Sequence, residues 1–203
     1  MRYAAILTLT VFLAACSSGE KASKAGDLSK QEKSDATAAA NVDLGGAPVT
    51  LAGLTFVPPT NWKDLGPSGM RKGDYTYGPV DGDTDSATMA IFYFGSNQGG
   101  SVQSNIDRWI GQVAAPAGAA EPMRKDIEVD GLPVHIVKTT GTYSASMGGP
   151  MSGNTVQKPD YTLVGVVVEA PEGNVFFKLT GPEKTADAMN DMFQAALQNL
   201  KKS

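Results

Sequence analysis

The chain has 203 residues, of which 41% are hydrophobic and 19% are charged, and its formal net charge is −4. This mild acidity argues against nucleic-acid binding, because proteins that bind nucleic acid usually carry a basic surface. It also argues against electrostatic attachment to anionic lipid. With a single cysteine, Cys16, the chain excludes an internal disulfide and a zinc site built from several cysteines. Stability must therefore come from a hydrophobic core.

The first fifteen residues have the pattern of a secretory signal peptide. Arg2 supplies a positive charge, an apolar run follows from Tyr3 to Leu13, and Ala14 and Ala15 precede Cys16. A charged start, a short apolar middle and small residues before a cleavage point are typical of such signals. The run is too short to span a bilayer, which takes about 20 apolar residues. The segment thus predicts export of the chain.

Leu13-Ala14-Ala15-Cys16 resembles the lipobox of bacterial lipoproteins. The resemblance implies that residues 1–15 are removed and that Cys16, acylated on its sulfur and amine, anchors the protein in a lipid bilayer. The alternative is an ordinary signal peptide with an incidental cysteine. Acylation would remove a lone thiol that otherwise risks intermolecular pairing in a secreted chain. Because Ser17 stands where Asp favours inner-membrane retention in similar lipoproteins, we expect the outer membrane, with the protein facing the periplasm.

Residues 16–46 are expected to form a disordered tether. This stretch is rich in Ser, Lys, Ala, Asp, Glu and Gly and contains no aromatic residue, so it buries too little apolar surface to offset its ordering entropy. An alanine-rich helix from Asp35 to Asn41 is the alternative, although it would have no apolar stripe. The remaining residues 47–203, roughly 157 in number, are enough to form one domain with a sizeable core.

Alternating apolar residues then predict strands, and two segments have helical periodicity. Ser101 is a candidate N-cap for a helix whose stripe is Val102, Ile106, Trp109, Ile110 and Val113. A second helix follows Gly181-Pro182-Glu183, with proline suited to the first helical position, and Met189 and Phe193 are on its apolar side. The predicted strands are 49–51, 54–57, 70–77, 87–94, 127–129, 132–143, 161–169 and 175–180.

The order of these elements is strands, helix, strands, helix. Short turns, such as Asp130-Gly131, favour hairpins and therefore an antiparallel sheet. Two strands, 87–94 and 161–169, are apolar on both faces and so need cover on both sides. The predicted fold is an α+β, three-layer α/β/α sandwich, with a mainly antiparallel sheet and one helix on each face.

This order resembles the PsbP-like sandwich. The resemblance is carried by Phe56-Val57-Pro58 followed by Trp62, and by the late segment 176–180 (Phe-Phe-Lys-Leu-Thr) running into an amphipathic helix. It covers about residues 48–201 and rests on topology and apolar rhythm. It implies an assembly, binding or stress-related accessory protein rather than an enzyme, although fold does not fix function.

Candidate catalytic residues are few. His135, the single histidine, lies within a predicted strand, and no Gly-x-Ser-x-Gly nucleophile elbow is present. A partly solvated structural role is therefore expected for His135. No Walker loop or dinucleotide fingerprint follows a strand. The sequence predicts no catalytic residue and no cofactor.

Two segments could hold a metal ion. Asp81, Asp83 and Asp85 alternate along one stretch as calcium ligands do, but no glutamate follows at EF-hand spacing, so a solvated loop is favoured. Met147 and Met151 lie in a predicted loop, Ser144–Pro159, of about sixteen residues, where hairpins commonly use two to five. Thioethers select Cu(I), whereas flexible methionines also provide adaptable contact surface. Met147 and Met151 are therefore candidate partner or metal contacts.

The sequence favours a membrane-anchored envelope lipoprotein with a non-enzymatic domain that binds an envelope protein or a small ligand. The alternative is a periplasmic protein that handles copper or calcium, or a hydrolase without a recognisable motif. The two alternatives differ in one respect: a binding module should have no pocket in which His135 and carboxylates converge.

Overall fold

The computed structural model describes residues 42–80, 82–147 and 154–203. Two helices are present in these residues, Val102–Ile110 (α1) and Glu183–Gln198 (α2). No helix in the described part of the chain is both long and apolar enough to cross a membrane. The strands are Val49–Leu51 (β1), Leu54–Phe56 (β2), Lys63–Asp64 (β3), Arg71–Tyr77 (β4), Ala87–Tyr93 (β5), Val113–Ala114 (β6), Met123–Val129 (β7), Leu132–Ser146 (β8), Thr155–Ala170 (β9), Gly173–Pro182 (β10) and Lys201–Lys202 (β11).

The large sheet is antiparallel, as predicted. Its strands follow the order β3-β4-β5-β10-β9-β8-β6, and β7 also pairs with β8. The two strands predicted to be internal, β5 and β9, each have neighbours on both sides. A separate small sheet has the order β1-β2-β11. The fold is therefore a mixed α/β structure dominated by antiparallel strands.

Two tight turns have the same backbone geometry, and the one at Asp130-Gly131 is predicted by its sequence. Ala52 and Gly53 connect β1 and β2 with φ values of 53° and 77°. Asp130 and Gly131 connect β7 and β8 with φ values of 52° and 73°. Positive φ at both central residues is the type I′ arrangement, which matches the twist of an antiparallel hairpin. These turns fix the register of both hairpins.

Alternate residues of β9 belong to two hydrophobic clusters. Val164 and Val166 are in a large cluster with Phe193 of α2. Leu163 and Val167 are in a smaller cluster with Trp109 of α1. Because successive residues of a strand point to opposite faces, each helix packs on a different set of β9 side chains.

The β8–β9 hairpin is longer than predicted, and Ser144–Pro159 is not a sixteen-residue loop. Ser144 pairs with Gln157, Ala145 with Val156 and Ser146 with Thr155. The prediction was wrong because it relied on apolar alternation, which is absent where most side chains are exposed. Backbone ladder bonds do not require apolar side chains, so the pairing continues beyond the last buried residues.

Both helices begin or end differently from the prediction. Val113 is not in α1, which ends at Ile110, but in β6, from which it still joins the Trp109 cluster. Pro182 is the N-cap of α2 rather than its first helical residue, and it makes no side-chain cap bond. Asp83 supplies the cap instead, because its Oδ2 accepts hydrogen bonds from the Thr185 amide at 2.8 Å and the Thr185 hydroxyl at 2.6 Å.

Candidate functional site

Helix α1 is too short to cover the sheet on which it packs. Its nine residues span about 14 Å at 1.5 Å per residue. The ten residues of β10 extend for about 33 Å at 3.3 Å per residue. Along β10, Phe176 lies in the α1 cluster, whereas Lys178 and Thr180, on the same face, line an open cleft beside it. The uncovered part of the sheet is the candidate site.

The cleft has a volume of about 790 Å³. Alternate residues of β5 and β10 contribute to its lining, and the ends of β4, β8 and β9 provide further side chains. The volume lies within the range of about 300–1,000 Å³ that is typical of small-molecule sites. Its principal lining residues are Arg71, Asp85, Thr88, Ala90, Phe92, Gln112, Tyr143, Lys158, Tyr161, Lys178 and Thr180.

Lys178 is the most unusual charged residue of the cleft. Its ammonium donates to Gln112 Oε1 at 2.6 Å and to the Tyr143 hydroxyl at 3.1 Å, and it lies 5.2 Å from the centroid of the Tyr143 ring. Burial, followed by the nearby charges of Arg108 and Arg71, lowers the pKa of Lys178 to about 8. Within the described residues, the hydrogen-bond partners of this partly buried cation are both neutral.

Lys158, Asp85 and Tyr161 form a hydrogen-bonded triad at one wall of the cleft. Lys158 Nζ donates to Asp85 Oδ2 at 2.8 Å, and the Tyr161 hydroxyl donates to the same oxygen at 2.6 Å. The bonds from Lys158 and Tyr161 lower the pKa of Asp85, so the carboxylate stays ionised. Tyr161 also stacks on Tyr143, with ring centroids 6.2 Å apart. These contacts hold the wall in one arrangement.

The cleft is cationic although the whole chain is acidic. Three of its described lining residues are cationic, namely Arg71, Lys158 and Lys178, and one is a carboxylate, Asp85. Arg71 is paired with Asp74 at 2.5 Å, and Lys158 is paired with Asp85. The charge of Lys178 is the one that no described carboxylate neutralises within salt-bridge distance. This arrangement is suited to binding a negatively charged group.

His135 lies away from the cleft. Its Nδ1 is 2.8 Å from Asp126 Oδ1, and its Nε2 is 2.8 Å from Glu169 Oε1. Burial lowers the pKa of His135, but the hydrogen bonds and charges of Glu169 and Asp126 outweigh it, and the net shift is upward. His135 lines neither the cleft nor a smaller groove of about 250 Å³ beside β7. Both of its ring nitrogens are engaged in cross-strand contacts.

The aspartates considered as calcium ligands have separate partners. Asp83 caps α2 and Asp85 binds Lys158 and Tyr161, while Asp81 lies outside the described residues. Across residues 42–80, 82–147 and 154–203, no group of three or more His, Cys, Asp or Glu side chains could hold a metal ion.

The other predicted site residues are only partly placed. Met147 follows the end of β8 and is 55% exposed, and its amide donates to the Asn154 carbonyl at 2.8 Å. Met151 and Cys16 lie outside the described residues. Whether the two methionines come together, and whether Cys16 is acylated, therefore stay predictions.

Lys178 is not predicted as a site residue from the sequence. The signal that could have found it is its place in an internal strand, where a lysine follows Phe176 on the same face. Its surroundings depend on Gln112 and Tyr143, which are distant in the chain. Only the folded sheet shows that they meet at the cleft.

A scan against protein-family models found no match, and a search of curated proteins found none either. Among solved structures, the chain is similar to the solution structure of cyanobacterial PsbP (CyanoP) from Synechocystis sp. PCC 6803. The two share 12% sequence identity, with a TM-score of 0.43 over 75% of this chain and 88% of the other.

Proposed function

We propose that the protein is a lipid-anchored envelope protein whose folded domain binds a small ligand in the cleft beside α1. The observation that carries the proposal is the cleft itself, in which polar and aromatic side chains from several strands converge. Sites of this kind combine a mostly apolar surface with a few fixed polar groups. An assembly partner that inserts a polar segment into the same cleft would use the same groups.

The arrangement of the domain is inferred to be a three-layer sandwich with α1 and α2 on opposite faces of the sheet. The separate clusters of Trp109 and Phe193 on alternate residues of β9 support it. The element order is also that of the PsbP-like sandwich, whose members are mostly accessory proteins. In this arrangement, the short α1 leaves the cleft open, whereas the 16-residue α2 covers the other face.

Binding is favoured over catalysis by the state of the groups in the cleft. Burial and the bond to Asp85 raise the pKa of Tyr161, so the phenol stays protonated and is a weak nucleophile. Lys158 and Arg71 are each paired with a carboxylate. His135, the histidine that could act as a general base, is held between Asp126 and Glu169 outside the cleft.

The anchor is proposed from the lipobox Leu13-Ala14-Ala15-Cys16. Acylation of Cys16 would place the domain at the outer membrane, facing the periplasm, on a tether of about 30 residues with a reach of about 30 Å. Two or more acyl chains hold a protein far more firmly than one chain does.

The anchor is tested with Cys16→Ser. We expect this variant to remain as an unprocessed precursor, because signal removal in similar lipoproteins requires the modified cysteine. Mass spectrometry of the membrane fraction should find a diacyl or triacyl N-terminus on the wild type. An unmodified mature N-terminus on the wild type would contradict the anchor.

The cleft is tested by filling it. Thr88 is exposed in the cleft and faces Thr180 across β5 and β10, while Thr50 is exposed outside it and faces Thr55 across β1 and β2. We expect Thr88→Trp to remove the small molecules that co-purify with the full chain from envelopes, as detected by native mass spectrometry. The matched Thr50→Trp variant should retain them. Equal retention by both variants, or no bound molecule on the wild type, would overturn the proposal.

A further inference from the structure

We propose that the cleft recognises a small organic anion, whose carboxylate or phosphate group binds Lys178 and whose apolar body lies against the aromatic side chains of the cleft. The inference rests on the proposed binding function and names its ligand class. Lys178 is the residue that would contact the negatively charged group, and Phe92 and Tyr143 would contact the body.

The ammonium group of Lys178 is incompletely paired. An ammonium group has three N–H donors and no acceptor. Two of its donors are used by neutral oxygens, Gln112 Oε1 at 2.6 Å and Tyr143 Oη at 3.1 Å. Burying a charge without an opposite charge is costly. An anionic group in the cleft would use the third donor and neutralise the charge.

Lys178 differs from Lys158, the other lysine of the cleft, in having no carboxylate partner within the described residues. Lys158 Nζ lies 2.8 Å from Asp85 Oδ2, so its charge is already matched. Asp74 does the same for Arg71. Lys178 has no such partner within the described residues, and Arg71 and Arg108 are close enough to lower its pKa. An anion bound to Lys178 would also be attracted by the charges of Arg71 and Arg108, which lie near it.

The sheet leaves space for a ligand around Lys178. Its neighbours in the sheet are Ala90 on β5 and Gly165 on β9. These small residues leave room above the strands. The Trp109 ring occupies the part of that room over Gly165. Ala90 is 8% exposed and lines the cleft, so a ligand has access to the sheet beside Lys178.

Apolar surface lies next to the charge of Lys178 in the cleft. Phe92 lines the cleft and stacks on Phe94, with ring centroids 6.1 Å apart. Met70, also in the lining, is 58% exposed. The Tyr143 ring is near both the Tyr161 ring and the Lys178 ammonium, with its centroid 6.2 Å from that of Tyr161 and 5.2 Å from Lys178 Nζ. A ligand that is only an inorganic ion would leave this surface in contact with water, which favours an anion with an apolar body.

The experiment uses three probes that share one ring. Benzoate carries a carboxylate, phenyl phosphate carries a phosphate, and benzamide is the neutral counterpart of benzoate. Each probe is titrated into the full chain in detergent and followed by isothermal calorimetry and ligand-observed NMR. We expect both anions to bind and benzamide to bind at least tenfold more weakly, since hydrogen bonds to charged groups are stronger than neutral ones. Whichever anion binds more tightly shows whether the cleft prefers a carboxylate or a phosphate group.

Two lysines provide the matched variants. Lys178 and Lys138 are both partly buried strand lysines, but Lys138 is paired with Asp187 at 2.9 Å and does not line the cleft. Lys178→Met should weaken benzoate and phenyl phosphate tenfold or more and leave benzamide unchanged. Lys138→Met should leave all three unchanged. Lys178→Gln, which keeps a donor without the charge, serves if the methionine variant does not fold.

The outcomes separate this inference from the proposed function. Equal affinities for benzoate and benzamide would overturn the inference that the cleft recognises an anion. Unchanged anion binding in Lys178→Met and Lys178→Gln would do the same. Either result would still leave the cleft as a binding site. The absence of binding by both anions would also overturn it. Loss of the co-purified envelope molecules in Thr88→Trp remains a separate result, because it does not depend on the charge of the ligand.

Discussion

At the scale of single residues, the fold places the Lys178 ammonium where its charged form is less stable than it would be in water. Six of the other nine residues of β10 are buried, and burial brings the pKa of Lys178 from 10.5 to about 8. Charges of Arg71 and Arg108 act in the same direction. Between about pH 8 and 10.5, the unfolded chain therefore holds a proton on Lys178 that the folded chain has lost.

This difference predicts a pH dependence of stability. Stability rises with pH wherever the unfolded state binds more protons, so the wild type should gain stability relative to Lys178→Met as the pH rises from about 8 to 10.5. The gain in the free energy of unfolding is at most about 3.4 kcal/mol, at 1.36 kcal/mol per pKa unit. Urea unfolding of both proteins across this range measures it. Tyr75, whose pKa is raised to about 12, affects both proteins equally, and parallel stability curves would contradict the prediction.

At the scale of elements, the contact between α1 and the sheet depends on one glycine. Trp109 is 3% exposed, and a Cβ added at Gly165 would overlap its indole ring. Ser101 begins the helix by accepting a hydrogen bond from the Ser104 amide at 3.2 Å. The cap fixes where α1 starts, and the gap above Gly165 fixes how closely it approaches β9.

Gly165→Ala should therefore destabilise the domain by about 1–3 kcal/mol, the usual cost of an overpacked core. Trp109→Ala should cost about 3–5 kcal/mol, because it removes a large buried side chain. In a Trp109→Leu background, Gly165→Ala should lower the free energy of unfolding by much less, because the indole ring is gone. Urea unfolding of Gly165→Ala, of Trp109→Leu and of the variant that carries both changes gives the coupling energy. Additive effects would mean that the ring does not limit the space at Gly165.

At the scale of the whole molecule, the two ends of the described chain are joined. β11 pairs with β2, and the Ser203 amide donates to the Gly53 carbonyl at 2.9 Å. On the N-terminal side, the Gly46 amide donates to the Pro58 carbonyl at 3.0 Å, and the Thr60 amide donates to the Asp43 carbonyl at 2.9 Å. The hairpin β1–β2 thus connects the start of the described chain to the end of α2.

We expect a fragment of residues 42–203 to unfold cooperatively with the same midpoint as residues 16–203, because the tether contributes no predicted core residue. The free energy of unfolding of a fragment that begins at Pro58 should be lower by about 3–5 kcal/mol or more, since removing one buried Phe usually costs that much. It lacks both Leu54 and Phe56, which are fully buried. Calorimetry of the three fragments measures this. A large change on removing residues 16–41 would contradict the predicted tether.

The sequence alone determined the local features of this protein. Apolar residues on both faces indicated β5 and β9 as internal strands, Ser101 indicated the start of α1, and Asp130-Gly131 indicated a tight hairpin. Each of these depends on residues that are close together in the chain. The lipobox is equally local, and for that reason Cys16 can be proposed as the anchor from sequence alone.

The tertiary structure decided the features that join distant residues. Asp83 caps a helix that begins 100 residues later in the chain. The polar ends of β8 and β9 pair through their backbones, which apolar periodicity does not report. The surroundings of Lys178 come from Gln112 and Tyr143, with charges from Arg71 and Arg108. Burial and unmatched charge are properties of the folded sheet, so only the folded sheet places this lysine in the cleft.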